Sequence, residues 1–160
     1  EFDALGPVPF DANDEKFAAE IRATLTNDDI ADTFRLLNMK PDYEMALCDF
    51  VAPLDRLFVG GIGSTDVGDV SWAVPTVQAN VATCAMGTPF HTWQLTAQGK
   101  EPFAHKGMIH AAKVMAATAR AMILSDELRT AAKKAHAEHL AIFPHACPIP
   151  ADVHPPVAAE

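Results

Sequence analysis

The sequence is poor in cysteine and in positive charge, and it has no long apolar run. Its three cysteines are widely spaced and form no CxxC pair, so a thiolate zinc site and a disulfide framework are both disfavoured. A reducing, cytoplasmic setting is the simple expectation. The 12 Lys and Arg are outnumbered by 21 Asp and Glu, and the net charge of −9 argues against a nucleic-acid partner. No apolar stretch approaches the roughly 18 residues of a membrane span.

Several catalytic motifs are also missing. The sequence contains no GxSxG, no HExxH and no phosphate-cradling glycine loop. With 160 residues, of which 49% are hydrophobic, the chain is nevertheless long enough for one domain with a real core. Gly and Pro in residues 1–10 favour an extended linker, and residues 146–160 form a proline-rich extended tail. The start resembles the middle of a linker, so we expect a piece of a longer protein.

Apolar residues recur at helical spacing in four segments. Ser125 is a predicted N-cap, and either Thr26 or Asn27 is another. The period of 3.6 predicts helices over 12–25, 28–38, 106–124 and 126–141.

The middle of the chain has a different pattern. In VSWAVPTVQANVA, β-branched residues alternate with Gln and Asn, which predicts strand structure within 70–84. Pro75 marks a bend or an edge of that strand. A short buried strand is also predicted within RLFVGGIG, residues 56–63. Taken alone, these patterns indicate a mixed α and β chain.

Two turns flank the predicted strand and carry the candidate chemistry. The turn GSTDVGD places Asp66 and Asp69 among small residues, where they can form one side of a pocket. On spacing alone, aspartates that form hydrogen bonds within a turn are the simpler explanation. The turn GTPFHTW places His91 beside Phe90 and Trp93. This histidine is a candidate metal ligand or catalytic base, and the alternative is a hydrogen-bonded core residue.

The other histidines give weaker signals. His105 and His110 are five residues apart and do not share a helix face as an i, i+4 pair does. His136 and His139 are three apart on the last predicted helix, where a solvated face competes with a metal pair. His145, Cys147 and His154 lie in or near the predicted tail, which does not favour a preformed site. None of these residues is selected as a site by its spacing.

The two turns together carry a family resemblance. The segments GSTDVGDVSWAVPTVQANVA and GTPFHTWQLTAQGK are similar to those of zinc-dependent amidohydrolases and metallopeptidases of the aminoacylase, carboxypeptidase G and aminobenzoyl-glutamate hydrolase kind. The resemblance extends to GPVPFDANDEKFAAEIRATL upstream and to HKGMIHAAKVMAATA downstream.

The resemblance implies an α/β fold, a three-layer mixed sheet with flanking helices, of which this chain is the C-terminal third. In that interpretation residues 1–10 are a linker after a missing lid domain. Residues 11–145 are then the C-terminal part of the catalytic domain, and residues 146–160 are its extended tail.

The resemblance also implies site residues and cofactors. His91 is expected to be the last metal ligand, and it is preferred to His105 because it lies in the turn that the family uses, directly past the predicted strand. The intact parent is expected to hold two zinc ions, with manganese or cobalt as alternatives, and to be a homodimer. The general-base Glu and the other ligands are expected upstream. The residues expected to bind substrate are Gly63, Ser64, Thr65 and Asp66.

Two functions follow. The first is a fragment of a dinuclear-zinc amidohydrolase or peptidase. Its expected substrate is a small-molecule amide such as an N-acyl amino acid, an aminobenzoyl-glutamate or a dipeptide, with no nucleic-acid or membrane partner. One metal ligand is present where a catalytic zinc needs three, so the chain alone is expected to be inactive. The second is a non-enzymatic binding or assembly module that retains half of the fold.

Overall fold

Helices and irregular segments make up the part of the chain that the computed structural model describes, namely residues 1–53, 65–147, 149–150 and 152–154. Helices account for 55% of these residues, and none of them is in a strand. The predicted α/β three-layer mixed sheet is therefore wrong for the described residues. Their helices are α1 (Phe2–Leu5), α2 (Ala12–Arg22), α3 (Asn27–Leu36), α4 (Val67–Ala73), α5 (Trp93–Gln98), α6 (Pro102–Leu124) and α7 (Asp126–Ile142).

The strand predicted within 70–84 is replaced by the end of helix α4 and an irregular segment over 74–83. A strand needs a neighbour to bind its N–H and C=O groups, and no segment among the described residues pairs with this one. Val77 is 83% exposed, so the alternation does not correspond to a buried sheet face. Upstream, Val67, Val70 and Val74 recur at helical spacing. The other predicted strand, in 56–63, lies outside the described residues.

The four longer helices are confirmed, and the starts of α2, α3 and α7 follow from local capping chemistry. Asp11 accepts hydrogen bonds from two backbone N–H groups at the start of α2, and Thr26 forms a reciprocal capping box with Asp29 at α3. Ser125 accepts from the N–H of Leu128 and begins α7, as predicted. The short helices α1, α4 and α5 were not predicted, and α1 lies inside residues 1–10, where an extended linker was expected.

The described chain divides into two compact units. The first comprises Glu1–Gly63 and Gln78–Leu124, and the second comprises Ser64–Val77 and Ser125–Glu160. No described helix of either unit is long and apolar enough to cross a membrane.

The first unit has a hydrophobic core in two clusters. Phe103 and Leu47 are almost fully buried in the larger cluster, where α2 and the start of α6 meet. Phe34 is fully buried in the smaller cluster, with Ile30 and Met86. Helix α6 also approaches the irregular segment closely, because a Cβ atom added at Gly107 would lie 2.0 Å from the carbonyl oxygen of Ala82. The chain therefore needs glycine at position 107.

The second unit contains α4 and α7, and neither helix has a buried residue. Contacts of aromatic and histidine side chains connect the segments of this unit. The ring of Trp72 lies 5.6 Å from that of His139 and 5.5 Å from that of His145, measured between centroids. The carbonyl oxygen of Ser71 accepts a hydrogen bond from His136 Nε2 at 3.0 Å. These contacts join α4 to α7 and to the segment after it.

Candidate functional site

The candidate site of the first unit is a turn over residues 85–92, which we call the His91 turn. It begins at Ala85 of the larger core cluster and passes through Met86 of the smaller one. Gly87 follows, with a φ of +90°, and approaches the backbone of Ile30. A Cβ atom on residue 87 would lie 2.7 Å from Ile30 Cα, so the turn can reach α3 this closely only with glycine. The turn ends at Thr92, whose side chain caps α5 by accepting from the N–H of Leu95.

The buried amide of Gln98 braces the turn from α5. Its Oε1 accepts a hydrogen bond from the backbone N–H of Ala85 at 2.7 Å. Its Nε2 donates to Thr88 Oγ1 at 3.1 Å and to the carbonyl oxygen of Gln94 at 3.0 Å. Gln98 is 1% exposed, so these bonds are shielded from water. The sequence pattern did not identify this residue, because a lone glutamine in a helix carries no signal of burial.

His91 itself is exposed on this braced turn and has a φ of +62°. Histidine is among the few non-glycine residues that are enriched in this left-handed region, which still costs free energy. A strained backbone conformation persists where neighbouring contacts hold it in place. Here the hydrogen bonds of Gln98 and Thr92 hold the turn on either side of His91. The hydrogen-bonded core residue considered as an alternative is wrong, since the imidazole is exposed. The expected strand before it is also absent from the described residues.

Two exposed aromatic side chains lie beside His91. Phe90 is 79% exposed and Trp93 is 61% exposed. Both residues flank His91 in sequence. Just before the turn, burial raises the pKa of the Cys84 thiol, which keeps it protonated and unreactive.

The GSTD turn is described only from Thr65 onward, and Gly63 and Ser64 lie outside the described residues. Thr65 and Asp66 are exposed, and Asp66 occupies the N-cap position of α4 without a side-chain capping bond. Thr65 Oγ1 accepts from the N–H of Val67 at 3.4 Å. These residues belong to the second unit and His91 to the first. A shared site for them stays a prediction.

The remaining histidines have separate roles. His105 is exposed near the start of α6, whereas His110 is 5% exposed. His136 is half-buried and hydrogen-bonded to Ser71, so the solvated-face interpretation is wrong for this residue. His139 is exposed but contacts the rings of Trp72 and Phe143. His145 Nε2 lies 3.9 Å from a carboxylate oxygen of Asp69.

The described residues do not complete a metal site. Within them, no group of three or more His, Cys, Asp and Glu side chains converges as metal ligands would. A catalytic zinc takes three protein ligands and an open position. The exposed imidazole of His91 has the right donor chemistry for one ligand, but the described chain does not fit a zinc ion by itself.

A charged cluster that the sequence patterns did not single out fixes the start of α6. Lys106 Nζ pairs with Asp11 at 2.6 Å and also with Asp14, whose side chain is 2% exposed. The hydrogen bond from Lys106 lowers the pKa of Asp11, and the bonds to Asp11 and Asp14 raise the pKa of Lys106. The contact spans more than 90 residues of sequence, so helical spacing gives no sign of it. It holds α6, and with it the larger core cluster, against the start of α2.

Comparison with known proteins identifies a relative of this chain. No protein-family model matches it, and no solved structure matches it. It is similar to a subunit of a hydrolase, with 38% identity over 161 residues. That relative is a p-aminobenzoyl-glutamate hydrolase subunit of Escherichia coli (strain K12), and the match includes 94% of this chain. The chain spans 34% of the relative's length. The resemblance inferred from the two turns is therefore confirmed.

Proposed function

We propose that this chain is part of a hydrolase that cleaves an amide bond in a small molecule of the aminobenzoyl-glutamate, N-acyl amino acid or dipeptide type. The observation that carries the proposal is the 38% identity over 94% of the chain to the p-aminobenzoyl-glutamate hydrolase subunit. The matching region is only 34% of the relative, so the complete activity belongs to more residues than these.

In this proposal His91 supplies one ligand to a catalytic zinc ion, or to manganese or cobalt in its place. The support is structural: an exposed imidazole lies on a turn that Gln98 and Thr92 hold in a strained conformation. Bound metal would supply an activated water for attack on the amide carbonyl. The other ligands, the second zinc and the general-base Glu come from residues that this chain does not contain.

The GSTD turn is the proposed substrate-binding segment. Thr65 and Asp66 are exposed, and the side chain of Asp66 is not used to cap α4. Gly63 and Ser64 complete the proposed segment. Backbone N–H and hydroxyl groups in such a turn can donate hydrogen bonds to a substrate carboxylate. A carboxylate side chain at Asp66 is suited to hold an amine or a positioned water.

Assembly with another chain is part of the same proposal. The relative is named as a subunit, and helix α6 carries exposed apolar side chains such as Met115 and Ile123, which are 72% and 74% exposed. A homodimer of the intact parent is one such assembly. A purely non-enzymatic assembly module is the second candidate, and the same exposed side chains favour it.

The test uses the complete enzyme that carries this sequence. His91→Asn removes the imidazole but keeps a residue that tolerates positive φ, so the turn is expected to keep its shape. Metal content per chain and the hydrolysis rate of p-aminobenzoyl-glutamate should both fall, the rate by at least about a hundredfold, as for loss of a group essential to catalysis. The matched control is His105→Asn, which changes another exposed histidine of the same unit.

Two results would contradict the proposal in different ways. If His91→Asn retains metal and rate while His105→Asn loses both, the ligand is the later histidine. If neither variant changes metal content or rate, the metal-ligand role fails and the assembly module is favoured. The unfolding midpoint of both variants shows whether any loss comes from the fold.

A further inference from the structure

A groove of about 440 Å³ lies along the first half of α6 in the first unit, away from the His91 turn in sequence. Pro9, Pro102 and Ile109 form apolar parts of its wall, and two histidines and two lysines form the rest. The volume falls within the range that small-molecule sites occupy. The polar lining residues are His105, Lys106, His110 and Lys113.

Among the described residues, the charged side chains that line this groove are two lysines. The chain carries 21 acidic residues and a net charge of −9, yet no carboxylate side chain of the described residues lines the groove. Lys106 is already paired with Asp11 and Asp14. Lys113 is exposed and has no ion pair within the described ranges. An anion would therefore meet a positive charge that nothing in the described chain neutralises.

His110 adds an independent sign of a ligand. It is 5% exposed, it belongs to the groove wall, and its buried Nε2 has no hydrogen-bond partner in the part of the chain that the structure describes. Its ring lies 6.4 Å from that of Phe2, which offers no conventional hydrogen-bond acceptor. Buried polar atoms in folded proteins are nearly always hydrogen-bonded, because an unmade bond costs free energy. A ligand atom that forms a hydrogen bond with His110 Nε2 would remove this unfavourable term.

We propose that the groove binds a small organic anion, with a carboxylate held by Lys113 and His110 and a short apolar body against Pro9, Pro102 and Ile109. The apolar part of the wall is what favours an organic carboxylate over an inorganic anion. The site shares no residue with the His91 turn or the GSTD turn, and it requires neither a metal nor an activity at those turns.

The probe is sodium hexanoate, titrated into the full 160-residue chain labelled with ¹⁵N at histidine. Saturable shifts of the ring resonances of His105 and His110 are expected, with a Kd on the order of 1 mM for a ligand of this size. Hexan-1-ol and inorganic phosphate are titrated in parallel, and each should bind at least about tenfold more weakly because it lacks one half of the recognised chemistry.

Two variants test the assignment. Lys113→Glu, at an exposed position, should weaken hexanoate binding by at least about tenfold, whereas the matched control Lys133→Glu on α7 should leave it unchanged. His110→Phe keeps an aromatic ring and removes both nitrogens, and it should also weaken binding. Circular dichroism shows whether each variant is folded, and Lys113→Glu remains decisive if His110→Phe is not.

The proposal fails if hexanoate gives no saturable shift, or if Lys113→Glu binds it as tightly as the wild type. Equal binding of hexan-1-ol shows an apolar cleft without anion recognition, and phosphate binding tighter than hexanoate shows an inorganic anion site. Either result overturns the organic-anion assignment.

Discussion

The side-chain amide of Gln98 joins α5 to the turn that presents His91. It accepts from Ala85 N–H in a buried bond, and it donates to Thr88 and to Gln94 in bonds that are partly buried. A leucine has nearly the same volume but no hydrogen-bonding group. Its presence would leave the buried N–H of Ala85 without an acceptor, which is more costly than the loss of a bond in water.

We therefore expect Gln98→Leu to lower the free energy of unfolding by about 1–3 kcal/mol and to speed amide hydrogen exchange at Ala85. Urea unfolding and exchange measured by NMR check this. Gln78→Leu is the control, since Gln78 is an exposed glutamine of the same unit, and it should change neither. Unaltered exchange at Ala85 in Gln98→Leu would show that Gln98 does not brace the turn.

The ion pairs of Lys106 give the fold a pH dependence with a definite sign. The pKa of Asp11 is lowered from 3.8 in the folded chain, so its contribution is present above pH 3.8 and is lost as the pH falls through the lowered value. The pKa of Lys106 is raised from 10.5, so its contribution is present below pH 10.5 and is lost as the pH rises through the raised value. Both groups therefore contribute fully to the stability of the fold at neutral pH.

Lys106→Met should reduce the free energy of unfolding at about pH 7, and the difference from wild type should shrink at about pH 3, below the ordinary pKa of 3.8 of the Asp11 carboxyl group. Urea titrations at the two pH values measure it. The control Lys133→Met removes an exposed lysine of α7 and should show no such change with pH. A difference that is as large in acid as at neutral pH would mean that Lys106 acts through packing of its aliphatic stem.

Among the elements, the long helices were predictable because their signals are local. Apolar spacing identifies α2, α3, α6 and α7. A capping residue marks two of them in addition, since Thr26 and Ser125 are both N-caps in the structure. The short helices have too few turns for a period to show. Helix α4 was hidden because its valines favour strands by propensity, and propensity is a weak guide where no partner strand is available.

Helix α6 provides a test of close packing at Gly107. Alanine is the better helix former, but a Cβ atom here would lie 2.0 Å from the carbonyl oxygen of Ala82. Because the backbone must shift to admit it, Gly107→Ala should destabilise the chain by about 1–3 kcal/mol. Thermal and urea unfolding measure the change.

The matched control is Gly68→Ala in α4, where an added Cβ atom meets nothing within 4 Å. That variant should be neutral or stabilising by up to about 1 kcal/mol, as the gain in helix propensity suggests. A gain of stability in Gly107→Ala equal to that of Gly68→Ala would show that α6 does not approach Ala82 closely.

At the scale of the whole molecule, the sequence motifs predicted the similarity to the hydrolase subunit but not the architecture of the described residues. The resemblance was inferred from two turns, because specific residues at fixed positions in a turn are a local signal that the sequence shows directly. The sheet was expected from the family resemblance and from an alternating pattern in one segment. A sheet depends on pairing between distant strands, and a pattern in one segment does not establish that the partner is present.

Metal-dependent hydrolysis would likewise need side chains from several segments, and one segment cannot supply them all. His91 offers one donor for a metal, and the described residues contain no group of three ligands. Affinity for a catalytic zinc requires several ligands held in place together, and hydrolysis also needs a positioned general base. The purified 160-residue chain should therefore bind zinc weakly and should not hydrolyse p-aminobenzoyl-glutamate above the uncatalysed rate.

The measurement is a comparison of this chain with the longer protein that the proposed function assigns to it, at equal molar concentration and with zinc, manganese or cobalt added. Circular dichroism verifies that the isolated chain is helical, so that inactivity does not reflect unfolding. Turnover by the chain alone that a chelator abolishes would contradict the prediction. Such turnover would mean that side chains of this sequence, contributed by one copy or by two, complete a metal site that includes more than His91.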